Sequence, residues 1–316
     1  MTRAVSALAA ATGSLVVAGA VGCNHQPPAL TPNADAVKTV ANVGFVGPEN
    51  LVYDAAADVY LVSNIGGGGP ARDNNGFVSR VAPDGRILTL KWIAGGRNGV
   101  ELDSPKGLAI RGDTLAVADI GSVRLFDRRT GRPLSTISLP GQVMNDVAFA
   151  PDGSLWITDT GPTRDSTGVD TTKDMDAVWH VRRDGSVHAA ARGLWLDRPD
   201  GIVVDGRSVL VSTFGGKRIE RVWAADRNEP TNVEELPAGR LDGLRRLSDG
   251  SLLLTSWDAG AVWHLWESDE PRQALITGLT SPAGVAVDTR RHQLAVTSMQ
   301  RNELYLLPLP HLEAKQ

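Results

Sequence analysis

Cysteine is nearly absent from this chain: Cys23 is the only one in 316 residues. Everything after it lacks a thiol, which excludes a disulfide framework and thiolate-held zinc. An excess of positive charge is also missing. The formal net charge is −4, no Lys/Arg-rich run occurs and no recognition helix is visible, so the chain carries no footprint for nucleic acid. Helical periodicity is scarce while glycine is abundant at 34 residues, which favours an all-β architecture with many tight turns. No Gly-x-Ser-x-Gly elbow appears, which disfavours a serine hydrolase. The run Gly66 to Gly69 is not followed by Gly-Lys-Ser/Thr or a helix, so it is not a phosphate-binding loop. What remains is ordinary soluble composition, 42% hydrophobic and 22% charged, with enough chain for a sizeable core.

The N-terminus reads as an address. Arg3 supplies a positive start, and Ala4 to Gly22 is a stretch of small and apolar residues ending at Cys23. Residues 1–23 are expected to be an export signal, and the Cys in that position resembles the lipid-accepting Cys of bacterial lipoproteins. A Cys inside a signal peptide cut nearby is the plainer alternative. Residues 24–37, rich in Pro, Asn and Ala, read as a tether. The expected location is periplasmic or cell-surface, with membrane contact only through the lipid.

Beyond the tether one phrase recurs six times. Its versions are Gly47-Pro48-Glu49-Asn50, Ser104-Pro105-Lys106-Gly107, Val143-Met144-Asn145-Asp146, Arg198-Pro199-Asp200-Gly201, Arg240-Leu241-Asp242-Gly243 and Ser281-Pro282-Ala283-Gly284. Each opens an apolar run, followed by a turn and a second apolar run that ends in small polar residues. Examples are Leu61-Val62-Ser63-Asn64, Leu155-Trp156-Ile157-Thr158-Asp159 and Leu294-Ala295-Val296-Thr297-Ser298. A period of roughly 40 to 55 residues built from short strands is the signature of propeller blades. The reading is therefore all-β, a six-bladed β-propeller over residues 38–316. The last unit looks one strand short, and the apolar segment Val37 to Val46 is expected to complete it, closing the ring and removing exposed strand edges.

Equivalent positions in a propeller face one axis. Glu49, Lys106, Asn145, Asp200, Asp242 and Ala283 are thus expected to meet, although they span most of the chain. Carboxylates and amides are hard oxygen donors, suited to Ca²⁺ or Mg²⁺. Crowded carboxylates need a cation among them, and either a metal or the Lys106 ammonium can supply it. A water-filled tunnel mouth is the third possibility. Lys106 and Asn64 are further pocket candidates, as are Trp195 and Trp257 near turns. Trp156, Trp179, Trp223 and Trp263 read as strand residues packed between blades, and His180, His188 and His264 as surface or packed residues. Long connections at 65–76 and 161–176 read as surface loops, with a lid as the functional alternative.

These phrases resemble those of the gluconolactonase and senescence-marker-protein superfamily of six-bladed propellers, related to paraoxonases and diisopropyl fluorophosphatase. The blade phrases also look like NHL repeats. The resemblance implies that Glu49, Asn145 and Asp242 hold a divalent cation, usually Ca²⁺, with Asp200 standing where the family has a second Asn. It implies an exported, metal-dependent hydrolase of lactones or related esters. Asp242 would be metal ligand and general base, with Asp200 second in that role. A small-molecule lactone or ester is the implied partner. The alternative is a non-catalytic, NHL-like propeller that binds a ligand or protein at the cell envelope.

Overall fold

The computed structural model describes residues 37–67, 71–161, 176–224, 231–266, 272 and 274–309. The export signal, Cys23 and most of the tether lie outside the described residues. So do Gly68 and Gly69 and the charged stretch with Arg164, Asp165, Asp170, Lys173 and Asp174.

The strands are buried on both faces, so their sequences run apolar without strict alternation. In β3 (Val59–Asn64), Leu61 packs against the second repeat, whereas its neighbour Val62 packs against the last. Six apolar layers recur around the described residues, each between one repeat and the next. Trp156, Trp179 and Trp263 are buried in three of them, as expected of aromatic packing between blades.

Each repeat supplies one innermost strand. These are β2 (Pro48–Asp54), β6 (Leu108–Arg111), β8 (Pro133–Phe149), β12 (Pro199–Asp205), β16 (Leu241–Arg246) and β20 (Pro282–Asp288). Each packs on the next, and β20 returns to β2, so the six form a closed ring. By hydrogen bonding, however, the sheets among the described residues number five, four of them four-stranded and one six-stranded. The expectation of six separate sheets is corrected at the second and third repeats. There β7 (Thr114–Asp127) and β8 are long enough to serve two strand positions each, and the pairing Ile120↔Val143 joins the repeats. Gly121, at φ 62°, and a register shift between Ile120 and Ser122 mark where β7 changes role.

Closure is as the sequence suggested. β1 (Lys38–Val40) pairs antiparallel with β22 (Glu303–Pro308) at the outside of the last sheet, with Val40 opposite Leu304. Val40 and Phe45 are buried in the layer between the last and first repeats.

The recurring phrase marks a shared irregularity at the axis. The ladder between first and second strands skips from Pro48 to Leu51, Met144 to Val147, Pro199 to Ile202, Leu241 to Leu244 and Pro282 to Val285. A bulge of this kind re-aims side chains but leaves backbone groups without ladder partners. Second-strand hydroxyls take them up. Thr158 accepts from the Asp146 N–H at 2.8 Å and donates to the Asp200 carbonyl of the next repeat at 2.5 Å. Ser212 does the same for Gly201 at 2.9 Å and Asp242 at 2.6 Å. Thr297 bridges Gly284 at 2.8 Å and Glu49 at 2.7 Å, and Thr255 donates to Ala283 at 2.6 Å. In the second repeat Ala118 stands at this place, and the Gly107 N–H reaches the Asn145 carbonyl directly at 2.7 Å.

Backbones crowd here. A Cβ on Gly201 would lie 2.5 Å from the Asp242 carbonyl oxygen, and one on Gly284 2.6 Å from the Asn50 Cα. Only glycine admits so close an approach.

Thr297→Val keeps the side-chain shape but orphans the Gly284 N–H and the Glu49 carbonyl, both at the ring-closing junction. Each buried unsatisfied group costs about 1–3 kcal/mol. The expected result is a clearly lowered urea midpoint at unchanged m-value. A midpoint equal to that of the parent protein would contradict the role assigned to this hydroxyl.

Candidate functional site

The bulges set the third residue of each phrase on the axis. Carboxylate oxygens of Glu49, Asp200 and Asp242, from three different repeats, lie within 4.8 Å of one another, and all three residues are buried. Asn145 joins them, donating from Nδ2 to Asp200 Oδ2 at 2.8 Å and to Thr160 Oγ1 at 2.6 Å, which leaves its Oδ1 as an oxygen donor. Lys106 comes from the second repeat, and its Nζ meets Glu49 Oε1 at 3.2 Å. Ala283, in the sixth place, is buried and contributes no polar group. Four of the positions singled out as metal-binding therefore converge, together with the lysine.

Burial works against charge here. It pushes the Asp200 and Asp242 carboxyls well above the usual carboxylate range, and repulsion from neighbouring acids adds to it. Glu49 is also raised by burial, although the Lys106 charge pulls it back. For Lys106 itself, burial lowers the pKa, but attraction from Glu49, Asp200 and Asp242 outweighs it and the net shift is upward.

The residues present fit a divalent cation. With the acids ionised, three carboxylates against one ammonium leave two negative charges in a dry pocket. Glu49 Oε2 is buried and has no hydrogen-bond partner among the described residues. An orphaned carboxylate oxygen beside two more carboxylates and an amide oxygen is an all-oxygen donor set of the kind hard cations take.

Around the cluster stands an aromatic and cationic wall that the sequence pointed to only in part. Trp257, named as a pocket candidate, donates from Nε1 to Asp242 Oδ2 at 2.9 Å. Phe214 meets its ring edge-on at 5.3 Å, and the guanidinium groups of Arg198 and Arg240 lie over Phe214 and Trp257. Thr160, Phe214 and the two arginines were not anticipated. The arginines could have been, because both open a copy of the repeated phrase.

Asn64 is a correction. It is fully buried, gives its amide hydrogens to the Val62 carbonyl and Ser79 Oγ, and accepts from the Val46 N–H, so it anchors the entry to β2 rather than facing a pocket. The histidines keep their structural reading. His180 stacks on Trp156 at 4.3 Å, His188 contacts Ser186, and His264 bonds Ser251. Trp195 is partly exposed beside Gly193, and no described contact links it to the cluster.

Among solved structures, the chain is similar to a gluconolactonase from Xanthomonas campestris described as important in glucose secondary metabolic pathways. That match has 21% identity and a TM-score of 0.66, covering 91% of this chain and 96% of the other. A structural-genomics structure assigned to the gluconolactonases matches at 20% identity and TM-score 0.63, covering 89% and 94%. No family model matches the sequence, and neither does any curated protein. The shared feature is the β-propeller fold, in keeping with the superfamily the repeated phrases resemble.

Lys106→Met removes the one cation that forms an ion pair with these acids among the described residues, and tests the electrostatic account. Breaking a buried pair typically costs about 3–5 kcal/mol. The acids left behind have raised folded-state pKa values, so they favour the folded protein when protonated. Their contribution is full below the ordinary carboxylate range and is lost as pH rises through the raised values. In chelator, the variant is expected to be most destabilised relative to the parent near pH 8 and least near pH 5. A pH-independent loss would count against charge as the cause.

Proposed function

We propose that the protein is a lactonase-type hydrolase whose reaction centre is the Glu49–Asn145–Asp200–Asp242 cluster, with a divalent cation, Ca²⁺ or Mg²⁺, held by these four side chains. The observation that carries the reading is the convergence of three buried carboxylates with one orphaned oxygen on the propeller axis. The gluconolactonases with the same fold support the choice of substrate class. When bound, the cation would polarise the lactone carbonyl and offset charge developing on its oxygen.

The chain's own residues divide the remaining work. Trp257 fixes one oxygen of Asp242, leaving Oδ1 to take a proton from the attacking water. Water adds to the carbonyl carbon, the ring C–O bond breaks, and the alkoxide takes up a proton, leaving a hydroxy acid. Burial raises the Asp242 pKa, which makes its ionised form a stronger proton acceptor. Asn145 holds Asp200 in place at 2.8 Å, and Asp200 is the second candidate base. Phe214, Trp257, Arg198 and Arg240 form one wall against which a substrate would lie. The N-terminal segment and Cys23 extend the proposal to an exported protein anchored by lipid.

A second reading keeps the same cluster without chemistry. The Lys106–Glu49 ion pair supplies an internal counter-ion, which is what a non-catalytic envelope propeller would need.

A thermal melt in chelator and then in Ca²⁺ separates the two. A ligand that binds only the folded state, at a hundred times its dissociation constant, adds about 2.7 kcal/mol. The metal reading expects a melting temperature that falls with chelator and recovers with Ca²⁺. An unchanged curve would favour the internal counter-ion and remove the basis for the hydrolase.

Asp242→Asn keeps an acceptor for Trp257 and cannot take a proton. Against a panel of lactones, the variant is expected to lose at least about a hundredfold in kcat with its circular dichroism intact. Undiminished turnover would exclude Asp242 as the base.

A further inference from the structure

The inner strands carry the acidic cluster at their beginnings. At their other ends, on the opposite mouth of the axis, a cavity of about 760 Å³ opens between β2, β6, β8, β12 and β16. Leu108, Phe149 and Val203 give it apolar walls, and Asp146 contributes to its lining. Asp146 also accepts from Asn50 Nδ2 at 3.3 Å, so this pair lies between the cavity and the acidic cluster.

The charges lining the cavity are mostly spoken for. Arg128 binds Asp54 at 2.7 Å and Asp113 at 3.0 Å, and Arg246 binds Asp205 at 3.1 Å. Arg245 is different. Its half-buried guanidinium makes no ion pair among the described residues. It reaches only the Val285 and Leu51 carbonyls, at 3.5 and 3.4 Å, and Asp146 acts on it from beyond ion-pair range. A guanidinium partly removed from water and lacking a paired anion retains a large unmet demand for one.

We infer that this cavity is a second binding site, for a small organic anion whose carboxylate pairs with Arg245 and whose apolar body lies against Leu108, Phe149 and Val203. An apolar pocket with one convergent charged group is the usual form of a small-molecule site. The guanidinium presents a planar fork that matches a carboxylate. The site is separate from the proposed hydrolase centre and does not depend on that activity.

Benzoate and its neutral isostere benzamide test it by isothermal titration. The protein is held in chelator, so that no metal can capture the carboxylate. Benzoate is expected to bind at least tenfold more tightly than benzamide. Arg245→Gln should erase that ratio and Arg245→Lys should retain part of it. Asp242→Asn, at the other end of the axis, should leave it unchanged. Equal affinities for the two probes, no binding of either, or a ratio that survives Arg245→Gln would overturn the proposal. So would a ratio lost in Asp242→Asn, because it would move the benzoate to the acidic cluster. Failure of the lactonase reading would alter none of these outcomes.

Discussion

At the axis the inner strands give up their regular ladder for two residues, and the N–H and carbonyl groups released must find partners where little water reaches. Five of the six repeats place a Ser or Thr in the second strand beside the break. In four of them its hydroxyl donates to the carbonyl of the following repeat. One small side chain thus satisfies its own repeat's backbone and stitches it to the next. The propeller's shape follows from that bond as much as from the apolar layers, because it fixes how close neighbouring inner strands come. Glycine in the fourth place of four phrases, at Gly107, Gly201, Gly243 and Gly284, follows from the same closeness. The break turns the third residue inward, so the acidic cluster is a consequence of how the ring is held together.

That arrangement opposes stability. Burial raises the pKa values of the three carboxylates, which lie within 4.8 Å of one another, and repulsion adds to it at Asp200 and Asp242, so they resist ionisation. Lys106 relieves part of the strain, and Ala283 adds none. A propeller under selection for stability alone gains nothing from acids at three of six axial positions, since apolar residues of similar size fit such places at lower cost. The cluster is therefore a cost to stability, carried by a scaffold that the hydroxyls and apolar layers make stable enough to hold it.

Much of this was legible in the residues. The sixfold phrase located the axial positions, and the apolar runs announced strands buried on both faces. The unpaired N-terminal segment announced closure with β22. Hydrogen bonding between the second and third repeats was not legible. Nothing in Gly121 or Gln142 distinguishes a blade boundary from a strand that continues through it, and pairing there depends on how two neighbouring repeats twist. Asn64 was misread because its place beside a hydroxyl residue is also where strand-ending side chains tie down the loop entering the same repeat. Asp119, Asp159, Ser256 and Ser298 serve in that way elsewhere in the ring. Phe214 needed the fold, since its place against Trp257 comes from bringing the fourth and fifth repeats together.

The polarity of the strands explains why the two mouths of the axis differ. All six inner strands play the same part in a rotationally repeated unit, so a given offset from the phrase falls at one height along the axis. Acids at the third position gather at one mouth, and charges three or more residues later, such as Arg245, gather at the other. The fourth position lies between the two. Glycine stands there in four repeats, where neighbouring inner strands approach closely, while Asn50 and Asp146 hold the other two places and bond to each other. The two mouths differ in charge: buried carboxylates stand at one, and at the other a guanidinium without an ion pair among the described residues.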